Sequence, residues 1–407
     1  MPQRTDQLEA TGFAGLDLTD PLTHLRSDIT DYWRWARGTR PVHWQAAAGQ
    51  RRGFWVLSTH RHVMRVFSDP TRFSSQRGNV LLTLLAGHDS AAGSMLAVTD
   101  PPRHGELRKL LAPALTRQAV AQMEERLRGR TKRLLIERMG TGPFDFALDI
   151  ALPTSMATIC DLLGVPDDDH ALLASLTRSA LSSESTNGSP LGSTAARGEI
   201  LLYFLEHVSR QRRDPGFDLV GSLLRGRLGG VLLSDEQVVA NCYSLLLGGE
   251  ETSRLALVGA MHTFADDSAV WSGFRSPSTK PHVAVEEIIR WHGPTLHFGR
   301  VALTDVEIDD RLIRAGDVVT LWTVSANRDE DAFADPDRLQ LDRRPNPHVS
   351  FGYGPHFCIG AQLAKLELAV VLDEIRTVVR QIEPAGVPRP VYSNVLRGLA
   401  ELPISIS

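Results

Sequence analysis

Residues 351–360, FGYGPHFCIG, place a single cysteine in a glycine-punctuated loop directly ahead of the apolar helical run AQLAKLELAVVLDEI. A helix N-terminus favours a thiolate, because its unpaired N–H groups and its dipole stabilise negative charge on sulfur. Gly352, Gly354 and Gly360 permit backbone turns that a Cβ atom would forbid, so the sulfur can collect N–H donors. We therefore predict that Cys358 is a thiolate ligand facing one iron ion.

The other cysteines and other ligand chemistries fit this sequence less well. Cys160 and Cys242 lie in apolar helical runs and are expected to be small buried side chains. A zinc site would need a second ligand pair at short spacing, which His356 and Cys358 lack. The third glycine of a dinucleotide-binding GxGxxG would fall at Phe357. Zinc and dinucleotide binding both fail on spacing.

The loop resembles, position by position, the haem-ligand loop FGxGxHxCxG of the cytochrome P-450 family, the haem-thiolate monooxygenases. The resemblance extends from about His60 to the C-terminus, and the remaining motifs have an order similar to that in soluble bacterial members. It implies a mainly α fold with a minor β region, as a triangular helical body with small antiparallel sheets. It also implies haem b (iron protoporphyrin IX) ligated by Cys358, with Gly360 among the cofactor-binding residues, and dioxygen as co-substrate.

Length and composition indicate one large globular domain. The 407 residues contain no low-complexity linker, repeat or long charge run, so we expect a single domain over residues 1–407, with residues 1–20 poorly ordered. A net charge of −4 argues against nucleic-acid binding, and three cysteines without paired spacing indicate a reducing compartment. No signal peptide or membrane span is visible. We expect a soluble, cytoplasmic monomer.

Helical periodicity dominates the chain. The predicted helices cover residues 61–67, 103–115, 117–139, 146–163, 168–181, 195–212, 219–227, 235–264, 282–291 and 359–379. Alternating apolar residues predict strands within 300–322, with weaker signals at 54–57 and at the C-terminus. Residues 183–193 are polar and broken by glycine and proline, which predicts a connection between helices, either a mobile lid or a plain surface loop.

A second constellation, LLLGGEETS, lies in the middle of the predicted helix 235–264. Each glycine there costs roughly 1 kcal/mol relative to alanine, and the acid pair adds a desolvation cost. A helix kink is one interpretation. The other is a resemblance to the family's oxygen-binding signature [AG]Gx[DE]T, which implies that Gly248 and Gly249 leave room for dioxygen. Thr252 would then donate a hydrogen bond, and Glu251 would relay protons from solvent.

The resemblance also assigns the residues that hold the haem propionates. His104 and Arg108 lie at i and i+4 of a predicted helix, a spacing that on its own is common in solvated surface pairs. In the family the matching residues contact propionate, and His356 and Arg300 match the remaining partners. We expect these four side chains to form the cofactor shell.

A further ion pair is expected to be structural. Glu287 and Arg290 lie at i and i+3 among apolar neighbours, and they resemble the family's ExxR pair with Arg338 as its later arginine. The apolar flanks predict burial, although a surface pair is the alternative.

Electrons must come from a separate donor, because the sequence has no flavin fingerprint, Walker sequence or CxxC cluster. The resemblance implies a ferredoxin and a ferredoxin reductase. A candidate docking face for an acidic ferredoxin consists of basic residues, and these are Arg103, Lys109, Arg343, Arg344 and Lys365.

The resemblance implies a monooxygenase that hydroxylates or epoxidises a small apolar molecule of the natural-product type. One alternative is an oxidase that performs radical coupling or ring formation on a peptide or polyketide intermediate, and a second is a non-catalytic haem sensor, which has no need of a proton relay. By the same resemblance, the substrate contacts residues 79–97, 173–191, 243–247 and 295–298, with His88, Thr295 and His297 as polar groups.

Overall fold

The computed structural model describes residue 13 and residues 16–46, 52–181, 190–216 and 218–407, and helices make up most of this part. The α-helices are α1 Ile29–Thr39, α2 His60–Phe67, α3 Leu81–Ala86, α4 Arg103–Leu111, α5 Arg117–Ala121, α6 Glu124–Arg138, α7 Leu152–Leu163, α8 His170–Leu181, α9 Pro190–Gln211, α10 Leu219–Arg225, α11 Asp235–Asp266, α12 Ser268–Arg275, α13 Pro281–His292, α14 Thr323–Ala326 and α15 Ala361–Val378. The mainly α fold is thereby confirmed.

Short strands form the minor β region. They are β1 Val42–Gln45, β2 Phe54–Leu57, β3 Phe73–Ser74, β4 Phe144–Asp145, β5 Arg227–Leu228, β6 Val231–Leu232, β7 Phe298–Ala302, β8 Val306–Ile308, β9 Arg311–Ile313, β10 Val318–Leu321, β11 Ile382–Pro384, β12 Arg389–Pro390, β13 Leu399–Glu401 and β14 Pro403–Ile406. The largest sheet has the order β1-β2-β10-β7-β3, and a second has the order β11-β14-β4. The strands pair antiparallel as expected, except for β2 with β10, which is parallel.

The longest helix, α11, runs through the helical body. It begins at a capping box, in which Ser234 Oγ accepts from Gln237 N and Gln237 Oε1 accepts from Ser234 N. Its 32 residues span about 48 Å at roughly 1.5 Å per residue. Because it packs against α7, α9, α13 and α15, it carries its central residues into the core.

Three predicted helices differ from the observed ones for local reasons. The α-helix predicted at 103–115 ends at Leu111, the last residue of α4, and a 3₁₀ helix, Ala112–Leu115, follows it. The α-helix cannot continue in the same way because Pro113 has no N–H to donate. The segment predicted at 146–163 begins with a π-helical turn, Ala147–Ala151. The one predicted at 117–139 divides into α5 and α6 around Gln122, whose N–H bonds to the carbonyl three residues back rather than four.

Two predictions of irregular structure need correction. The connection predicted at 183–193 lies largely outside the described residues, and Pro190 already begins α9, which suits the proline preference for a first helical turn. The poorly ordered segment 1–20 also lies mostly outside the description, but residues 16–20 are packed. Leu18 is fully buried, and Thr19 O accepts from Asn394 Nδ2 at 2.7 Å. None of the described helices is both long and apolar enough to cross a membrane.

Candidate active site

The cysteine loop reaches its position because of two left-handed glycines. Gly352 and Gly354 have φ of +68° and +70°. A Cβ atom on Gly354 would lie 2.6 Å from Phe67 O, so a side chain at this position would displace α2. Cys358 N donates to Phe351 O at 2.8 Å, which closes the loop just before α15 begins. The sulfur is thereby fixed by backbone geometry.

The surroundings of the sulfur are those of a metal ligand. Burial raises the pKa of the Cys358 thiol, whereas the backbone amides of Gly360 and Ala361 and the nearby Arg108 lower it. The amides provide the hydrogen bonds that a thiolate needs, but a buried anion also needs a cation on the sulfur itself. A bound iron ion would supply that cation.

Four basic side chains converge at one end of the cavity next to this sulfur. The rings of His104 and His356 lie 4.1 Å apart, and Arg300 Nη1 donates to Gly299 O at 2.7 Å. Within the described chain, Arg108 and Arg300 have no carboxylate at ion-pair distance, and His356 Nε2 is buried without a partner. Burial lowers the pKa of Arg300 to about 10 and that of His356 to about 3. Two arginines without a counter-charge, beside a ring nitrogen without a partner, fit an anionic ligand such as the haem propionates.

The opposite wall of the cavity comes from Gly248 and Gly249 of α11, which runs as one continuous helix through both glycines. Nothing lies within 4 Å of a Cβ built on Gly248, so its face is open, as the prediction of space for dioxygen requires. A Cβ on Gly249 would lie 2.7 Å from Ile159 Cδ1, which shows that this glycine also allows α7 and α11 to pack closely. Thr252 Oγ1 donates to Gly248 O at 2.7 Å and lines the cavity.

Glu251 does not face this cavity. Both of its carboxylate oxygens accept from Arg254, at 2.9 and 2.6 Å, and both side chains are almost completely buried. Its neighbour Glu250 is fully buried, and neither of its oxygens has a hydrogen-bond partner among the described residues. Arg254 Nε lies 3.9 Å from Glu250 Oε1. Burial, together with Glu251, raises the pKa of Glu250 well above its usual range.

Sequence reasoning missed a third buried acid. Glu367 lies on α15 in the cavity wall and accepts from Ser155 Oγ at 2.5 Å. Burial raises its pKa to about 7. The available signal was a glutamate within the apolar stripe of the helix that follows Cys358, between Leu363 and Leu368. Arg254 gave no such signal, because an arginine three residues after an acid is common on any helix surface.

One cavity of about 320 Å³ joins these elements. Nine of the ten predicted site residues line it, and Glu251 is the exception; the nine are His104, Arg108, Gly248, Gly249, Thr252, Arg300, His356, Cys358 and Gly360. The remaining wall is mainly apolar, with Asn241, Ser244 and Thr295 among its polar groups. Asn241 is already engaged, because it accepts from Leu96 N and donates to two backbone carbonyls.

The predicted substrate contacts are present only in part. Asn79, Leu96, Leu245 and Phe298 line the cavity, but no described residue of the stretch 173–191 does. His88 is exposed, whereas His297 is a buried core residue whose ring contacts that of Trp322 at a tilt and whose Nε2 accepts from Leu81 N. Neither histidine lines the cavity, so the polar contacts predicted for them are wrong.

The predicted ExxR pair is buried, but its third member differs from the prediction. Glu287 and Arg290 are fully buried and form two hydrogen bonds of 2.7 Å. The second guanidinium on Glu287 belongs to Arg343, at 3.0 Å, and Arg338 contributes only its backbone carbonyl. Arg343 is therefore unsuitable for the docking face. Lys365 forms a 2.7 Å ion pair with Glu286.

Fold and site together define the class of haem-thiolate oxidoreductases, in which a cysteine loop and a helix with two adjacent glycines would enclose the cofactor. Residues 282–376 match the family model described as Cytochrome P450. The chain is 38% identical over 392 residues to cytochrome P450 NovI of Streptomyces niveus, covering 96% of each. It is 30% identical to linalool 8-monooxygenase of Pseudomonas putida, covering 95% of this chain and 97% of that enzyme.

Solved structures agree with these relatives. P450 OxyD, involved in the biosynthesis of vancomycin-type antibiotics, superposes with a TM-score of 0.88 at 32% identity, covering 97% of this chain and 100% of that chain. The chain belongs to the cytochrome P450 family. It is a monooxygenase that uses haem iron and dioxygen, and the residues around its cavity fit that cofactor.

Proposed function

We propose that this monooxygenase inserts one oxygen atom into a C–H or C=C bond of a small, largely apolar natural product, with the second oxygen atom leaving as water. The observation that carries the proposal is the single cavity in which Cys358, Thr252 and the basic cluster meet under a mainly apolar wall. Several similar proteins support the substrate class by their names: one is called nocardicin C N-oxygenase, OxyD is described as involved in the biosynthesis of vancomycin-type antibiotics, and LnmA as a hydroxylase from the leinamycin biosynthetic pathway. The cofactor we assign is haem b.

The haem group supplies oxygen activation and electron donation from its thiolate ligand. The chain's own residues control protons and position. Thr252 holds its hydroxyl at the cavity wall, and because its one O–H donates to Gly248 O, that bond must be released before the hydroxyl can donate to dioxygen in the cavity. Glu251 is the proposed source of protons, and because it is held by Arg254 it must rotate away from that guanidinium to deliver one. His104, Arg108, Arg300 and His356 orient the cofactor by its carboxylates.

We further propose that a ferredoxin, reduced by its reductase, is the electron donor, and that it binds a docking face made of Arg103, Lys109 and Arg344. All three side chains are exposed, and two of them flank the α4 residues of the basic cluster. A double reversal, Lys109→Glu with Arg344→Glu, should slow ferredoxin-supported turnover but not turnover driven by a peroxide. Equal loss in both assays would reject this face.

The chain is proposed to be one domain. Leu366 packs against both large helical clusters of the core, so no boundary separates them at this point.

The proposed chemistry is tested with purified haem-loaded protein. A metabolite panel is titrated against the ferric form, and a shift from low to high spin marks a ligand that displaces the water from the iron. Binding compounds are then incubated with ferredoxin, reductase and labelled dioxygen. A product that carries one labelled oxygen supports monooxygenation, whereas a coupled or cyclised product without label supports the oxidase alternative. A ferrous carbonyl spectrum typical of imidazole ligation, in a sample free of denatured protein, would refute the thiolate site.

A further inference from the structure

A second, smaller cavity of about 80 Å³ lies away from the haem site, between the N-terminal helices and the segment after α13. Its volume is several times the roughly 10–15 Å³ that one water molecule needs. Its wall combines apolar side chains with three arginines and a histidine; the lining includes His24, Trp33, Arg37, Leu296, Arg328 and Arg397. Arg37 is buried, whereas His24, Arg328 and Arg397 are partly exposed, and three guanidinium groups around one partly enclosed space need a specific reason.

Arg397 is the least neutralised of these groups. Its Nε donates to Gly293 O at 3.0 Å and its Nη2 to Trp291 O at 2.6 Å, so the side chain caps the C-terminal end of α13. Within the described chain, Nη1 makes no hydrogen bond and no carboxylate lies at ion-pair distance. Burial, with Arg328 and Arg290 nearby, lowers the pKa of Arg397 to about 9. The helix end therefore accounts for two of its three nitrogens and leaves the third for another partner.

The other groups do not remove this excess of positive charge. Arg37 is matched by Glu330, but Arg328 shares Asp337 with Arg34, at 3.2 and 2.8 Å. His24 Nε2 donates to Leu18 O at 3.0 Å, while its buried Nδ1 has no partner among the described residues. Burial lowers the pKa of His24, so the ring is neutral and Nδ1 is an acceptor.

The propionate end of the haem site shares two of these features. There, Arg108 and Arg300 have no carboxylate at ion-pair distance among the described residues, as Arg397 has none here, and a buried ring nitrogen, His356 Nε2, has no partner. We propose that the smaller cavity is a binding site for a small oxyanion that retains a hydroxyl group, of which inorganic phosphate is the simplest example. Arg397 and Arg328 face its charged oxygens, and His24 Nδ1 accepts its hydroxyl.

The position of the site connects it to the substrate cavity. Leu296 lies in its wall, and the preceding residues Pro294 and Thr295 line the haem cavity. Arg397 N donates to Pro294 O at 2.7 Å and Leu296 N donates to Val395 O at 2.8 Å. An anion held by Arg397 therefore stabilises a segment that forms the wall between the two cavities. This inference does not depend on the proposed substrate or electron donor.

The test measures thermal unfolding of the haem-loaded chain as inorganic phosphate replaces sodium chloride at constant ionic strength. We expect a saturable rise in Tm without a change in the Soret band. The apparent affinity for phosphate should fall by roughly tenfold or more in two variants, as expected for loss of a charge-assisted hydrogen bond. Val324→Phe fills the cavity and keeps every arginine, and Arg397→Gln removes the guanidinium group. Arg311→Gln, at a surface pair with Asp310, is the matched control and should behave as the native chain.

Three results would overturn the site. The first is a Tm that responds equally to phosphate and chloride. The second is a phosphate effect that persists unchanged in Val324→Phe, which decides the question if Arg397→Gln does not fold. The third concerns Asp6 and Glu9, which lie outside the described residues. If phosphate binds only after Asp6→Asn and Glu9→Gln are introduced together, the chain's own carboxylates occupy the cavity.

Discussion

Replacing Glu287 by glutamine should destabilise the whole protein. Glu287 accepts from Arg290 Nε and Nη2, from Arg343 Nε and from Gln340 N, and its carboxylate is fully buried. Glutamine keeps the shape and one acceptor but leaves two buried guanidinium groups without their counter-charge. Breaking such a pair on one side costs about 3–5 kcal/mol, a large part of the 5–15 kcal/mol that stabilises a typical domain.

The adjacent residue provides the control for this experiment. Glu286 also pairs with a cation, Lys365, at 2.7 Å, and with His348, but its side chain is 33% exposed. Glu286→Gln should therefore cost no more than about 1 kcal/mol. The assay is guanidinium chloride unfolding of both haem-loaded variants, followed by far-UV circular dichroism and by the Soret band. Equal midpoints for the two variants would refute the view that burial of Glu287 determines its contribution.

Three further predictions follow from the site. Thr252→Ala should lower product formation by about 10²-fold or more, while oxygen is still consumed and is released as hydrogen peroxide. Thr252→Ser keeps the hydroxyl and should restore product formation. An unchanged product yield in Thr252→Ala would contradict the assigned role. Gly354→Ala should lower the free energy of unfolding by about 1–3 kcal/mol and weaken haem retention, because φ is +70° and the new Cβ atom would clash with Phe67 O. Gly273→Ala, on an open helix surface, is the control and should not destabilise the protein. Equal unfolding curves for the two variants would contradict this prediction. Because burial raises the pKa of Glu367 from 4.5 to about 7, native stability falls as pH rises through this interval, by roughly 3 kcal/mol. The stability of Glu367→Gln should not fall in this way, so the Tm of this variant should rise relative to that of the native chain between pH 5 and pH 8. Parallel plots of Tm against pH for the two proteins would exclude the effect.

The sequence predicted those parts of the site that are encoded within a few residues of one another. The cysteine loop, the glycine pair of α11 and the pair His104 and Arg108 are local patterns, and the structure brings them to one cavity. The identity of the third ExxR residue could not be found in this way, because Arg338 and Arg343 both follow Glu287 at long range. Only the path of the chain between residues 334 and 346 decides which side chain turns inward. The helix break at Gln122 likewise depends on backbone hydrogen bonds rather than on apolar spacing.

The charge balance of the acid pair on α11 sets the condition under which the proposed proton relay operates. Two buried carboxyl groups, Glu250 and Glu251, share one guanidinium, that of Arg254. Because the pKa of Glu250 is raised well above its usual range, this residue is neutral. The negative charge of Glu251 then balances the positive charge of Arg254. When Glu251 turns away to carry a proton, Arg254 would remain as a buried, unpaired cation, which is strongly unfavourable. Glu250 lies 3.9 Å from Arg254 Nε and has both oxygens free of other partners in the described chain, so it is placed to take up that charge. The first glutamate of GGEET, Glu250, thus has a physical role in the same movement that the second, Glu251, must make.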